Sequence, residues 1–177
     1  HHLTLSLMEK ISITFLGTGN AIPTKDRNHS SILLSYKNEN ILIDCGEGTQ
    51  RQFRKAKINP GKITKLLITH WHGDHVLGIP GLIQSLGASN YNKKLEIYGP
   101  KGSIKFLKNM LNGIVFRARI DYEVKELKQG KFFENKEFYL ECNKVKHSID
   151  CLSYSLIEKD KLKININYTK KFGLTQH

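Results

Sequence analysis

Leu66-Leu67-Ile68-Thr69-His70-Trp71-His72-Gly73-Asp74-His75 is a short apolar run that stops against a cluster of metal-ligating side chains. Three apolar residues bounded by polar ones read as a strand buried on both faces. The ligands then lie on the loop beyond its carboxyl end, where a rigid scaffold usually carries function. His70, His72 and His75 are three of the eight histidines in the chain, and Asp74 stands among them. Neutral imidazole suits zinc and other borderline divalent ions, and Gly73 lets the backbone turn so that ligands on both sides converge. A single catalytic ion usually takes three protein ligands and keeps one position open. Four candidates on one loop exceed that need. Two ions about 3.5–4 Å apart would use them and would suit phosphodiester hydrolysis.

The flanking sequence predicts a strand-rich α/β chain. Strands are expected over residues 11–16, 31–36 and 41–43, joined by short turns into an antiparallel meander. Thr49 and Gln52 have capping-box spacing, which predicts a helix over residues 50–57, broken at Pro60-Gly61. Ile79, Leu82, Ile83 and Leu86 share a helical face. After a strand over residues 95–98, Ser103 is expected to cap a helix turning Ile104, Leu107 and Leu111 inward and ending at Gly113. Further strands are expected over residues 122–127, 137–142 and 152–157, and a short helix over 165–172.

The 177 residues set a prior of one domain with room for a sizeable core. Their 39% hydrophobic and 25% charged content is an ordinary globular balance. No apolar run approaches the ~20 residues of a membrane span. Three cysteines, Cys45, Cys142 and Cys151, form no CxxC pair. They predict buried small hydrophobes in a reducing cytoplasm, not a disulfide framework. The net charge of +12 bears on partners. Arg51 to Lys65 holds six basic residues and no acid. That stretch reads either as a solvated basic surface or as a face for a polyanion such as nucleic acid.

Other short motifs give the histidine loop its context. The H-x-H-x-D-H pattern after a buried strand resembles the metallo-β-lactamase superfamily. Pro23-Thr24-Lys25-Asp26-Arg27-Asn28, Ile43-Asp44-Cys45-Gly46-Glu47-Gly48-Thr49-Gln50, Gly78-Ile79-Pro80-Gly81-Leu82, Tyr98-Gly99-Pro100-Lys101-Gly102 and Lys146-His147-Ser148 follow in family order. Together they resemble ribonuclease Z, the tRNA 3′-processing endonuclease family. The resemblance implies an α/β fold, the αβ/βα sandwich of that superfamily. Residues 8–157 would form about its first half, residues 158–177 the start of a projecting arm, and residues 1–7 a tag or linker remnant.

The resemblance also implies roles. His70, His72 and His147 would hold one zinc, and Asp74 and His75 would help hold a second. Asp74 would take the proton of the attacking water, and Asp44 would orient a metal-bound histidine from outside. Lys25, Arg27 and Asn28, with Lys159, Lys161, Lys163, Lys170 and Lys171 of the arm, are candidate RNA contacts. His29 reads as structural, and Trp71 as packing beside the site. Precursor tRNA would be the substrate, cut to leave a 3′-hydroxyl on the tRNA, and the enzyme would be a cytoplasmic homodimer without a membrane partner. The family also uses a bridging carboxylate and a final histidine beyond the third motif. Asp150 and Asp160 are the only later aspartates here and His177 the only later histidine, and none has that context. The chain therefore reads as an N-terminal portion. Two alternatives stay open: another phosphodiesterase of the same fold, and an inactive metal- or RNA-binding fragment lacking the second ligand set.

Overall fold

The computed structural model describes residues 10–116 and 120–160. The antiparallel meander expected at the start is present: β1 (Ser12–Gly17) pairs with β2 (Ser31–Tyr36), and β2 with β3 (Glu39–Ile43). Then α1 (Thr49–Lys55) and a 3-10 turn at Pro60–Lys62 lead to β4 (Lys65–Leu67), parallel to β3. The one-turn α2 (Gly73–Val76) and α3 (Ile79–Ala88) lead to β5 (Lys94–Gly99), and α4 (Ser103–Asn112) to β6 (Asp121–Glu126). The six strands form one sheet in sequence order. A second, antiparallel sheet follows, made of β7 (Gly130–Glu134), β8 (Phe138–Val145) and β9 (Cys151–Glu158).

Strand alternation explains the layers. Leu33, Leu42, Leu66, Ile68 and Ile97 turn to one face of the large sheet and pack on Phe53, Leu82, Ile83, Leu86 and Leu107 of the helices. Tyr36, Ile41, Leu67 and Tyr98 turn to the other face and meet Phe138 and Leu140 of the small sheet. Helices, large sheet and small sheet thus form three layers. Full burial of each Leu or Ile contributes about 1.5–3 kcal/mol to this arrangement. No described helix is long and apolar enough to cross a membrane.

Several local expectations need correction. Thr49 does not cap α1: the cap is Gly48, at φ 76, and Thr49 Oγ1 instead donates to the Gly46 carbonyl. Ser103 likewise lies inside α4, whose cap is Gly102 at φ 95. In both places a glycine reaches a left-handed turn that L side chains disfavour, so the chain enters the helix without a side-chain cap. Ile104 points outward, 52% exposed. Strand β7 had no strong alternation to announce it. Lys65, counted in the basic stretch, is buried between Glu39 and Glu96 and belongs to no basic surface. The cysteines are free, with Cys45 and Cys142 buried. Burial pushes the Cys45 thiol up to about 12, so it stays protonated. The helix expected over 165–172 lies outside the described residues.

Candidate metal centre

The site is built at the carboxyl ends of β3 and β4, with a third contribution from the turn between β8 and β9. Asp44 directly follows β3 at φ 56, a left-handed position that Asp tolerates better than most residues. There its buried carboxylate meets the end of β4. Oδ1 accepts from the Thr69 backbone N–H at 2.8 Å, and Oδ2 accepts from the Thr69 hydroxyl at 2.8 Å. Oδ2 also lies 2.6 Å from His75 Nδ1. A carboxylate only accepts, so His75 carries its proton on Nδ1 and presents Nε2 to the cavity. That Nε2 lies 3.6 Å from Asp74 Oδ2.

The same carboxylate fixes His70 at one remove. The single Thr69 hydroxyl proton is spent on Asp44, so its oxygen accepts from His70 Nδ1 at 2.9 Å. His70 is left with a bare Nε2 for a ligand. Thr69 is therefore a site residue that the sequence reading passed over as a strand end. The only signal was a hydroxyl directly before the first histidine.

His70, His72 and His147 each offer a ring nitrogen, and the three atoms lie within 4.8 Å of one another. His72 Nδ1 and His147 Nε2 are 3.2 Å apart. Two lone pairs cannot face each other at that distance without a proton or cation between them, so the donor set fits a divalent ion. Burial, helped by the neighbouring His75, pushes the His70 pKa down to about 4, which keeps its imidazole neutral and ready to ligate. Burial also disfavours the charged form of His75, but the hydrogen bond and charge of Asp44 outweigh it and raise the pKa.

A cavity of about 600 Å³ opens on this cluster, lined by His29, His70, His72, Asp74, His75 and His147 among others. Asp74 is the one carboxylate in that lining. His29 is buried, and neither ring nitrogen has a hydrogen-bond partner among the described residues. Trp71 sits beside the site, its Nε1 donating to Ser103 Oγ at 2.8 Å and its ring 5.4 Å from that of Phe106. Asn28 is engaged in the scaffold, donating to the Glu47 carbonyl at 2.7 Å, while Lys25 and Arg27 are exposed. Lys159 pairs with Glu134 at 2.6 Å. Lys161, Lys163, Lys170 and Lys171 lie outside the described residues.

Gly46 sets the position of the ligand helix. Its N–H donates to the Ser30 carbonyl, the neighbouring Cys45 N–H donates to His75 O, and Gly78 N–H donates to Cys45 O. A Cβ on Gly46 would lie 2.5 Å from the Asp74 carbonyl oxygen and 2.3 Å from His29 Cβ. Neither neighbour is the free end of a flexible side chain. Gly46→Ala should therefore shift α2, cost about 1–3 kcal/mol in urea unfolding and weaken metal binding at least tenfold by competition with a chromogenic chelator. Unchanged affinity would mean that α2 is not held by this contact.

The family model described as "Anti-Pycsar protein Apyc1" matches residues 11–172. The chain belongs to that family. Relatives that resemble the chain include ribonucleases Z. That of Thermococcus kodakarensis is 46% identical over 152 residues, 85% of this chain and 48% of its own length. That of Methanococcus aeolicus is 40% identical over 168 residues, 93% of this chain and 52% of its own length. The chain thus spans about half the length of these relatives. Among solved structures, the short form of human tRNase Z superposes with a TM-score of 0.76 at 32% identity, covering 82% of this chain and 64% of that one. The metallo-β-lactamase fold protein YhfI of Bacillus subtilis superposes at 0.66 with 17% identity, covering 84% of this chain and 58% of that one. The chain has the metallo-β-lactamase fold, and its histidine cluster is a group that could hold a metal ion.

Proposed function

We propose that the chain is the N-terminal half of a zinc-dependent endoribonuclease that removes 3′ trailers from precursor tRNA. The observation that carries this reading is the convergence of His70, His72 and His147 beside Asp74 and His75, in a chain that resembles ribonuclease Z over most of its length. His70, His72 and His147 hold one zinc, and Asp74 and His75 contribute to a second. Bound zinc supplies Lewis acidity, which lowers the pKa of water and offsets charge on the phosphate. Asp74 takes the proton of the attacking water. Asp44 holds His75 directly and His70 through Thr69, so both imidazoles keep Nε2 toward the cavity. Residues 8–157 form the metallo-β-lactamase-like portion and residues 158–177 begin an arm that contacts tRNA. The working enzyme is a cytoplasmic homodimer.

The test compares two substrates on zinc-loaded protein. A precursor tRNA with a 3′ trailer should be cut at the trailer junction, leaving a 3′-hydroxyl, with a rate that falls steeply as salt rises. Chelation should abolish cleavage and zinc should restore it. Hydrolysis of bis(p-nitrophenyl) phosphate with no cut in the tRNA would instead point to a small-diester hydrolase. Metal uptake without either reaction would point to a binding fragment.

A further inference from the structure

Two cavities flank the turn that carries His147, and the proposed chemistry uses neither. One, of about 760 Å³, lies among Pro100-Lys101, Glu126 to Lys128 and the stretch from Lys144 to Leu152. Lys101, Lys128, Lys144 and Lys146 line it, all four exposed and none in an ion pair among the described residues. Two acids share the wall. Glu126 spends Oε1 on the backbone N–H groups of Gly102 and Ile104 at the start of α4, and Asp150 is exposed. The second cavity, of about 680 Å³, shares Pro100, Lys101, Ile149 and Asp150 with the first, and is walled by Trp71, Leu77, Phe106 and Met110. Leu77 is 54% and Phe106 45% exposed, large apolar surface beside a charged groove. His147 borders the first cavity and His72 the second, so both run up to the metal centre.

We propose that these cavities form one groove for a single RNA strand, with phosphates on the four lysines and a base against Phe106 and Leu77. Unpaired lysines beside an exposed aromatic surface are the chemistry of single-strand binding. A duplex buries its base faces and has no use for the apolar wall. The inference rests on the trailer-endonuclease reading, in which the strand leaving the cut is single-stranded. The groove then guides the trailer past His72 and His147.

Fluorescence anisotropy on the 177-residue protein in chelator tests binding without cleavage. The probes are a short fluorescein-labelled oligouridylate and a hairpin RNA of equal charge. Lys101→Gln with Lys128→Gln and Lys144→Gln should raise the oligouridylate Kd about tenfold or more at low salt, and lower the salt slope by about 2. Phe106→Ala should raise Kd about fivefold or more with the slope unchanged. Lys55→Gln with Lys57→Gln and Lys62→Gln removes equal charge elsewhere and should do markedly less. Equal losses in the two lysine sets would overturn the groove. So would hairpin binding that matches the oligouridylate while Phe106→Ala changes nothing. The two readings fail separately. Groove-dependent binding in a protein that cuts no tRNA sinks the endonuclease alone, whereas efficient cutting with wild-type binding by the groove variants sinks the groove alone.

Discussion

Asp74→Ala is expected to lower kcat for precursor tRNA cleavage by about 10³-fold or more, while binding of the tRNA at low salt stays within about twofold. Two losses combine in that figure. Asp74 is the one carboxylate among the described residues lining the cavity of the three clustered histidines, so its removal takes away the proposed base. It also lies 3.6 Å from His75 Nε2, so the same change strips a donor from the proposed second metal position. The histidine triad of His70, His72 and His147 is untouched. The variant should therefore keep one strongly bound zinc, measurable by mass spectrometry of the native protein, and lose the weaker one. Asp74→Asn separates the contributions, since the amide keeps an oxygen for the ion but cannot take a proton. Both variants should titrate RNA alike, because the lysines of the proposed groove lie outside this cavity. Cleavage by Asp74→Ala at near wild-type rate would end the proposed mechanism.

How much of this centre was legible in the sequence depends on how local each contact is. The histidine loop and its strand are contiguous, and β2 falls on the residues expected of it. The hinge of the site is not contiguous. Asp44 reaches Thr69 and His75 across 25 and 31 residues. A strand-terminal Asp looks the same in sequence whether it serves two histidines or none. The helix starts fail for a different reason. Gly48 and Gly102 take left-handed conformations and serve as the caps, so each helix begins at the very Thr or Ser that looked like its cap. Sequence spacing sees hydroxyls but not φ. Charge misleads in the same way, because Lys65 counts as surface in any composition and lies buried between the two sheets in the fold.

Lys65→Ala is expected to destabilise the protein by about 3–5 kcal/mol, the range for leaving buried charges without their partner. The Lys65 side chain is only 3% exposed. Its Nζ lies 2.8 Å from Glu39 Oε2 and 3.0 Å from Glu96 Oε2, and 3.9 Å from the centre of the Phe133 ring. One ammonium thus ties β4 to β3 and β5, and presses the large sheet onto the small one. Without it, two partly buried carboxylates face each other beside a void. Lys65→Met should recover the packing but not the charge. Lys65→Met with Glu39→Gln and Glu96→Gln should recover most of the loss, because a buried ion pair gains little over neutral groups of similar shape. Acid provides an independent reading. Burial alone would raise the Glu96 pKa, but hydrogen bonds from Lys65 and Tyr98 outweigh it and hold it below the usual 4.5. A depressed carboxylate gives stability that is full above that value and is lost as pH falls through the folded one. Urea unfolding between about pH 5 and 3 should therefore show wild type losing this increment and Lys65→Ala losing less of it, because the largest group depressing Glu96 is gone while Tyr98 and Lys125 remain. A Lys65→Ala protein within about 1 kcal/mol of wild type at pH 7, with an unchanged acid limb, would mean that the ammonium does not clamp the strands.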